Sequence, residues 1–168
     1  MTTDLKDKAE VEKRLWSEIE HARFGMLGPV GCEVVQHFQP MTAFAEPESG
    51  KIWFFTNSET DLARAAEPGV AAMFVVASRD GDVQACIAGD LALRWDSLHR
   101  DKYWSATVAA WFPRGKDDPH LAMLCLTCHD AQIWLSEAGP VKFGWEIAKA
   151  NLIGGLPDLG GKVTLRLD

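Results

Sequence analysis

One tyrosine stands against seven tryptophans, and the longest apolar runs stop well short of a membrane span. No window approaches 18 consecutive apolar residues, so no spanning helix is expected. Positive charge is also short: 17 Lys and Arg against 24 Asp and Glu leave a net charge of −7. That balance argues against a sequence-independent grip on nucleic acid or on an anionic membrane. The chain has no GxGxxG, no GxSxG and no HExxH, which removes the dinucleotide fingerprint, the hydrolase elbow and the zinc-protease helix. Its Gly-rich tail is not a P-loop, because Leu156 occupies the first Gly position before Gly161-Lys162 and Val163 replaces the Ser or Thr. The five histidines, His21, His37, His99, His120 and His129, are scattered without metal-ligand spacing.

Cysteine is equally sparse, with four in the chain. The first ten residues, Met1 to Glu10, are charged and lack an apolar stretch, which predicts a cytoplasmic chain with reduced thiols. Cys32 and Cys86 stand alone in apolar runs and read as small buried hydrophobes. Cys125-Leu-Thr-Cys128-His129 spells the c-type haem attachment motif, yet it lies between two strand-like runs. A structural zinc would need a second pair of ligands, and a redox CxxC would open a helix. The segment therefore reads as a strand end and a turn that carry thiols.

What remains is 168 residues, enough for one domain with a sizeable core. Residues 4–21 predict an amphipathic helix, with Val11, Leu15 and Ile19 spaced i, i+4. Short apolar runs broken by Gly and Pro predict strands at 23–27, 32–38, 51–56, 70–77, 83–95, 121–127 and 130–135. Runs 51–56 and 70–77 are apolar on both faces, as for strands covered on both sides. Run 83–95 alternates, with Val83, Ala85, Ile87, Leu91, Leu93 and Trp95 on one face, and its central Gly89 predicts a bulge. Further helices are expected from Ser58 to Ala66, from Asp96 or Ser97 to about Ala110 with Trp104, Val108 and Trp111 on one face, and over 143–152. A tail strand is expected at 163–167. The absence of a βαβ rhythm favours a small β-barrel with flanking helices, divided as helix 1–21, barrel 22–136, helix 143–152 and tail 153–168.

One junction invites a ligand. Trp53-Phe-Phe55-Thr56-Asn57-Ser58 runs from a strand into a helix start, where hydroxyls and backbone N–H groups can meet an anion. Equally, Ser58 can cap the helix with Asp61 as its N3 partner, and Glu59 and Asp61 would repel a phosphate. Both readings stand on the residues alone.

Ala22-Arg-Phe-Gly-Met-Leu27, Gln39-Pro40-Met41, Trp53-Phe-Phe-Thr56 and Trp111-Phe-Pro-Arg-Gly-Lys-Asp-Asp-Pro119 resemble the general stress protein branch of the pyridoxamine-phosphate-oxidase-like, flavin-binding split barrels. The likeness runs from about Ala22 to Leu165. It implies a six-stranded split β-barrel that forms a homodimer, with FMN in grooves between the subunits and a possible flavin-dependent oxidoreductase activity on an unnamed substrate. The resemblance implies Phe55, Thr56, Asn57 and Ser58 beside the flavin and its ribityl chain, and Gln84 hydrogen-bonding the flavin. It further implies Pro40 and Met41 on the strand under the ring, with Gln39 before them, and Trp111 as an aromatic near the ring from the partner chain. The chain departs from the family at its phosphate ligands: Gln39 stands where Arg is common, and Asp61-Leu62 replace a basic pair. Those changes leave open a second reading, a non-enzymatic homodimer that binds another small, less anionic ligand or none.

Overall fold

The structure, a computed structural model, describes residues 5–31, 36–136, 140–153 and 160–167. Helix α1 (Leu5–Ala22) ends at Arg23, whose left-handed backbone and N–H to Ile19 O turn the chain into β1 (Phe24–Pro29). β2 (Gln39–Thr42) and β3 (Phe44–Glu46) follow, then β4 (Lys51–Asn57), α2 (Asp61–Ala66), β5 (Val70–Ala77) and β6 (Val83–Leu93). Helices α3 (Ser97–Tyr103) and α4 (Ala106–Ala109) lead to the long β7 (Leu121–Leu135), and α5 (Pro140–Ile153) and β8 (Gly161–Arg166) complete the order.

All pairings are antiparallel, in the order β2-β1-β5-β6-β7-β4-β3, with β8 also on β7. The two ends of that order, β2 and β3, are separated in sequence by Ala43 alone, so one bent run of chain closes the sheet. The Ala43 N–H donates to Arg23 O at 2.7 Å and carries the ladder through the bend. The result is the expected split barrel with flanking helices, in eight strands where six were expected. Its interior holds Leu27, Ile52, Phe54, Phe74, Ile87, Leu91, Leu124 and Leu126, joined by Leu15, Trp16 and Ile19 from α1 and Leu62 and Ala66 from α2. Each such buried Leu, Ile or Phe contributes about 1.5–3 kcal/mol by leaving water.

Several elements differ from the sequence expectation. Runs 121–127 and 130–135 form one strand, β7, which pairs with β4 over its first half and β8 over its second while β6 lines its other edge. The expected turn at Cys128 is a bulge instead: Gly89 pairs with Cys128 and Ala88 with Asp130, leaving His129 as the extra residue. The bulge anticipated at Gly89 is thus present, and a Cβ there would overlap the Thr127 carbonyl. Cys125 faces the outer aromatic cluster and Cys128 the barrel core, so the two thiols lie on opposite sides of the strand.

The predicted strand 32–38 lies partly outside the described residues. Its described part, 36–38, has no regular structure, and the strand begins at Gln39. Cys32 also lies outside the described residues. β6 ends at Leu93, leaving Trp95 outside the strand and 61% exposed. The long helix expected up to Ala110 breaks at Trp104, whose extended backbone separates α3 from α4. Ser105 then caps α4 by accepting the Val108 N–H. Trp104 is half-buried, Val108 is buried and Trp111 follows the helix, so they do not share a helix face.

Candidate functional site

β4 is buried on both faces because two layers cover it. Ile52 and Phe54 point into the barrel, while Trp53 joins Met123 and Cys125 in a cluster against Phe44, Phe55 and Tyr103. Val108, Phe112 and Leu121 extend this cover, with Phe55 edge-on to Phe44 at 5.6 Å and to Trp104 at 6.0 Å. An ionic group pins α3 over it. His99 stacks on Trp53 at 4.1 Å, with Nε2 at 3.1 Å from Glu46 Oε1 and Nδ1 at 3.0 Å from Asp96 Oδ2. The Ser49 hydroxyl donates to Glu46 Oε2 at 2.6 Å and Lys102 Nζ donates to Oε1 at 3.1 Å. Together with His99 they draw the Glu46 carboxyl down from 4.5 to about 2, against the opposing effect of its burial. Nothing in the sequence pattern marked this cluster, because its members come from three separated elements.

β5 behaves differently from β4. Its inward side chains, Ala72, Phe74 and Val76, are buried, but Val75 on the outer face is 39% exposed. Register places Pro40, Met26, Val75, Cys86, Gln132 and Thr164 side by side across five neighbouring strand pairs on that face. The adjacent row carries Ala77, Gln84, Trp134 and Lys162. Phe24, Met26 and Trp134 are exposed here as well. The apolar-on-both-faces pattern of run 70–77 was legible; in one chain only one of those faces is covered.

The sequence-predicted site residues divide between two regions. At the β4 end, Thr56 is buried with its hydroxyl 3.4 Å from that of Thr60, while Asn57 and Ser58 are exposed. Strand β2, which carries Gln39, Pro40 and Met41, also contacts β4, the strand that ends at Thr56 and Asn57. Met41 belongs to the barrel core, Phe55 to the aromatic cover, and Gln39 is half-buried opposite Leu27. Trp111 follows α4, which packs near the same end, and is 79% exposed. Gln84 is remote from all of these: it pairs with Trp134 near the far end of β7, whereas Thr56 pairs with Ala122 near the start. A shallow cavity of about 430 Å³ there is lined by Gln84, Trp134, Lys162 and the Gly160–Gly161 backbone.

The helix after β4 starts later than the sequence suggested. Asn57 Oδ1 accepts the Glu59 N–H at 2.8 Å and the Thr60 hydroxyl donates to Asn57 O at 2.9 Å, so residues 57–60 form a closed turn. Thr60, not Ser58, then caps α2 by accepting the Ala63 N–H at 3.2 Å. Glu59 lies 3.8 Å from His120 Nδ1 and Asp61 lies 3.8 Å from Arg64. Leu62 is 1% exposed, a core residue with no face toward a ligand.

The Cys-x-x-Cys-His segment holds no comparable site. Burial pushes the Cys125 thiol up and the Cys128 thiol up to about 12, so neither is a ready thiolate. His129 Nε2 is bonded to Asp90 Oδ2 at 2.8 Å. Among the described residues no group of three or more His, Cys, Asp or Glu side chains could hold a metal, and no helix is long and apolar enough to cross a membrane.

Residues 10–158 match the sequence profile of the pyridoxamine 5'-phosphate oxidase like proteins. The chain belongs to that family. A crystal structure of a protein assigned as general stress protein 26 from Jannaschia sp. CCS1 superposes with a TM-score of 0.77 at 33% identity, covering 94% of this chain and 99% of that one. The general stress FMN/FAD binding protein of Xanthomonas citri gives a TM-score of 0.71 at 38% identity, covering 78% of this chain and 92% of that one. An FMN binding, pyridoxamine 5'-phosphate oxidase-related protein of Nostoc punctiforme PCC 73102 shares the fold at 14% identity, TM-score 0.56, covering 95% and 94% of the two chains. No curated protein matches the sequence.

Proposed function

We propose that this family member is a flavin-binding homodimer in which two copies meet through the outer face of β1, β5 and β6. The observation that carries the reading is the uncovered apolar row through Met26 and Val75, which also bears Pro40 and adjoins Gln84. A face of this kind on an otherwise covered sheet fits the core of a self-complementary interface. In that arrangement Gln84 of one copy meets Thr56 and Asn57 of the other, and the ring lies between Pro40 and the exposed Trp111. The isoalloxazine supplies electron transfer, and the chain contributes orientation and hydrogen bonds. A flavin oxidoreductase activity on a small substrate follows from this reading, with FMN as the flavin common in the family. The residues at the β4 end do not fit the phosphate of FMN, because the Ser58, Glu59 and Thr60 N–H groups are used and the charge of Glu59 and Asp61 is negative.

That misfit favours a second reading, a binding dimer without turnover that has lost the phosphate clamp at Gln39, Asp61 and Leu62. One experiment separates the readings from the start. The purified protein is sized by sedimentation and scanned for the visible absorption of flavin before and after denaturation with added flavin. A dimer that retains flavin supports the proposal; a dimer that stays colourless at tens-of-micromolar flavin, roughly the weak end of cofactor binding, overturns it in favour of the second reading, and a monomer overturns both.

A further inference from the structure

We infer that the ligand end at β4 excludes a phosphomonoester and selects a neutral flavin, riboflavin, over its phosphate. The inference rests on the flavin reading above and narrows it to the form of the ligand. Five backbone donors at this junction are already engaged: Ser58 N–H with His120 O, Glu59 N–H with Asn57 Oδ1, Thr60 N–H with Asn57 O, Ala63 N–H with Thr60 Oγ1, and Arg64 N–H with Thr60 O. A phosphate arriving here finds a turn that has closed upon itself, and the amides left at the start of α2, those of Asp61 and Leu62, belong to a first turn that already carries the Asp61 carboxylate.

The side chains point the same way. Glu59 and Asp61 are exposed carboxylates on either side of Thr60, and a phosphomonoester carries about −1.5 to −2 charges near neutral pH. The basic side chains recorded beside them, His120 and Arg64, each lie 3.8 Å from one of those carboxylates. Gln39 on β2 is neutral, and Leu62 is locked in the barrel core beside Ala66. What the junction does offer is an exposed carboxamide at Asn57 and an exposed hydroxyl at Ser58. Neutral groups that both donate and accept suit the hydroxyls of a ribityl chain.

The test is a fluorescence-quenching titration of the full chain with riboflavin and with FMN, at low and at high salt. Riboflavin is expected to bind at least about tenfold more tightly than FMN, and its affinity should not respond to salt. FMN affinity should rise with salt, because screening weakens repulsion by Glu59 and Asp61; a cationic clamp would give the opposite slope. The double variant Gln39→Arg with Asp61→Arg, at half-buried and exposed positions, should tighten FMN at least about tenfold relative to riboflavin and reverse the FMN salt slope, with circular dichroism reporting the fold. FMN binding more tightly than riboflavin to the unaltered chain overturns the inference, and Lys162 of a second copy is then the cation to replace. If neither flavin binds the unaltered chain, the flavin reading fails and the double variant decides alone. FMN capture by the variant upholds phosphate exclusion, and no capture overturns it.

Discussion

Gln84 and Thr56 stand near opposite ends of one strand, since Gln84 pairs with Trp134 and Thr56 with Ala122 along β7. The contour between those partners is roughly 40 Å at about 3.3 Å per residue. The two positions lie far apart along that strand, so on the proposed reading a site that uses both draws one from each of two chains. In the proposed dimer the outer sheet face would then serve the site as well as the packing of the two copies. The proposed interface would cover Val75, which is 39% exposed in the middle of an eight-stranded sheet.

Val75→Asp tests that requirement. The substitution keeps the strand but places a carboxylate where the proposed interface excludes water. Leaving such a charge unpaired costs about 3 kcal/mol or more, and 1.4 kcal/mol is a factor of ten. The dimer dissociation constant should rise on the order of a hundredfold, and sedimentation at micromolar protein should show monomer. Flavin affinity should fall with the dimer, while circular dichroism stays unchanged. A fully dimeric variant would place the interface elsewhere.

Much of the fold was legible because hydrophobic period and punctuation reported it directly. The bounds of β5 and, to within one residue at each end, those of the first helix follow from side-chain spacing within one element. The misreadings share a different cause, which is competition from tertiary partners. Cys128 and His129 looked like a turn because polar residues interrupted an apolar run, yet the neighbouring β6 absorbs His129 as a bulge. Trp104 looked helical until Ser105 offered a new cap. At the candidate site, Met41 and Leu62 carried family positions but face the core, while the Glu46–His99–Lys102 group was invisible because no single window contains it.

Cys125 and Cys128 make a second prediction. They face opposite sides of β7 and are both buried, with Cys128 pushed up to about 12. Under native conditions both should resist alkylation over hours, with no disulfide between them after mild oxidation and no covalent haem. In denaturant both should react within minutes. Peptide mapping by mass spectrometry reads each thiol separately. Rapid native labelling of Cys128 would contradict its place in the core.

Gly89→Ala tests the bulge. A Cβ at residue 89 meets the Thr127 carbonyl oxygen and the Cys128 backbone, neither of which can swing aside as a flexible side chain would. Overpacking of this kind costs about 1–3 kcal/mol. At about 2–4 °C per kcal/mol for a chain of this size, the melting temperature should fall by roughly 4–10 °C. Calorimetry checks it, and a shift under about 1 °C would mean the strand pair opens freely at that point.

Glu46 sets the acid limit. Its carboxyl is held near 2 in the folded chain by the Ser49 hydroxyl, Lys102 and His99, against 4.5 ordinarily. A depressed folded value means the stabilisation is complete above the unfolded value and is lost as pH falls through the folded one. The shift corresponds to about 2–3 kcal/mol once partial screening is allowed for. Glu46→Gln should therefore lower the melting temperature by roughly 5–10 °C at pH 7, with faster amide exchange over Ser97–Tyr103 as α3 loosens from Trp53. The gap between the two proteins should narrow steadily from about pH 5 downward, be mostly lost at pH 2, where Glu46 is itself about half protonated, and close below it. A gap that persists unchanged to pH 2 would show that the carboxylate's charge contributes nothing and that the side chain acts through packing alone.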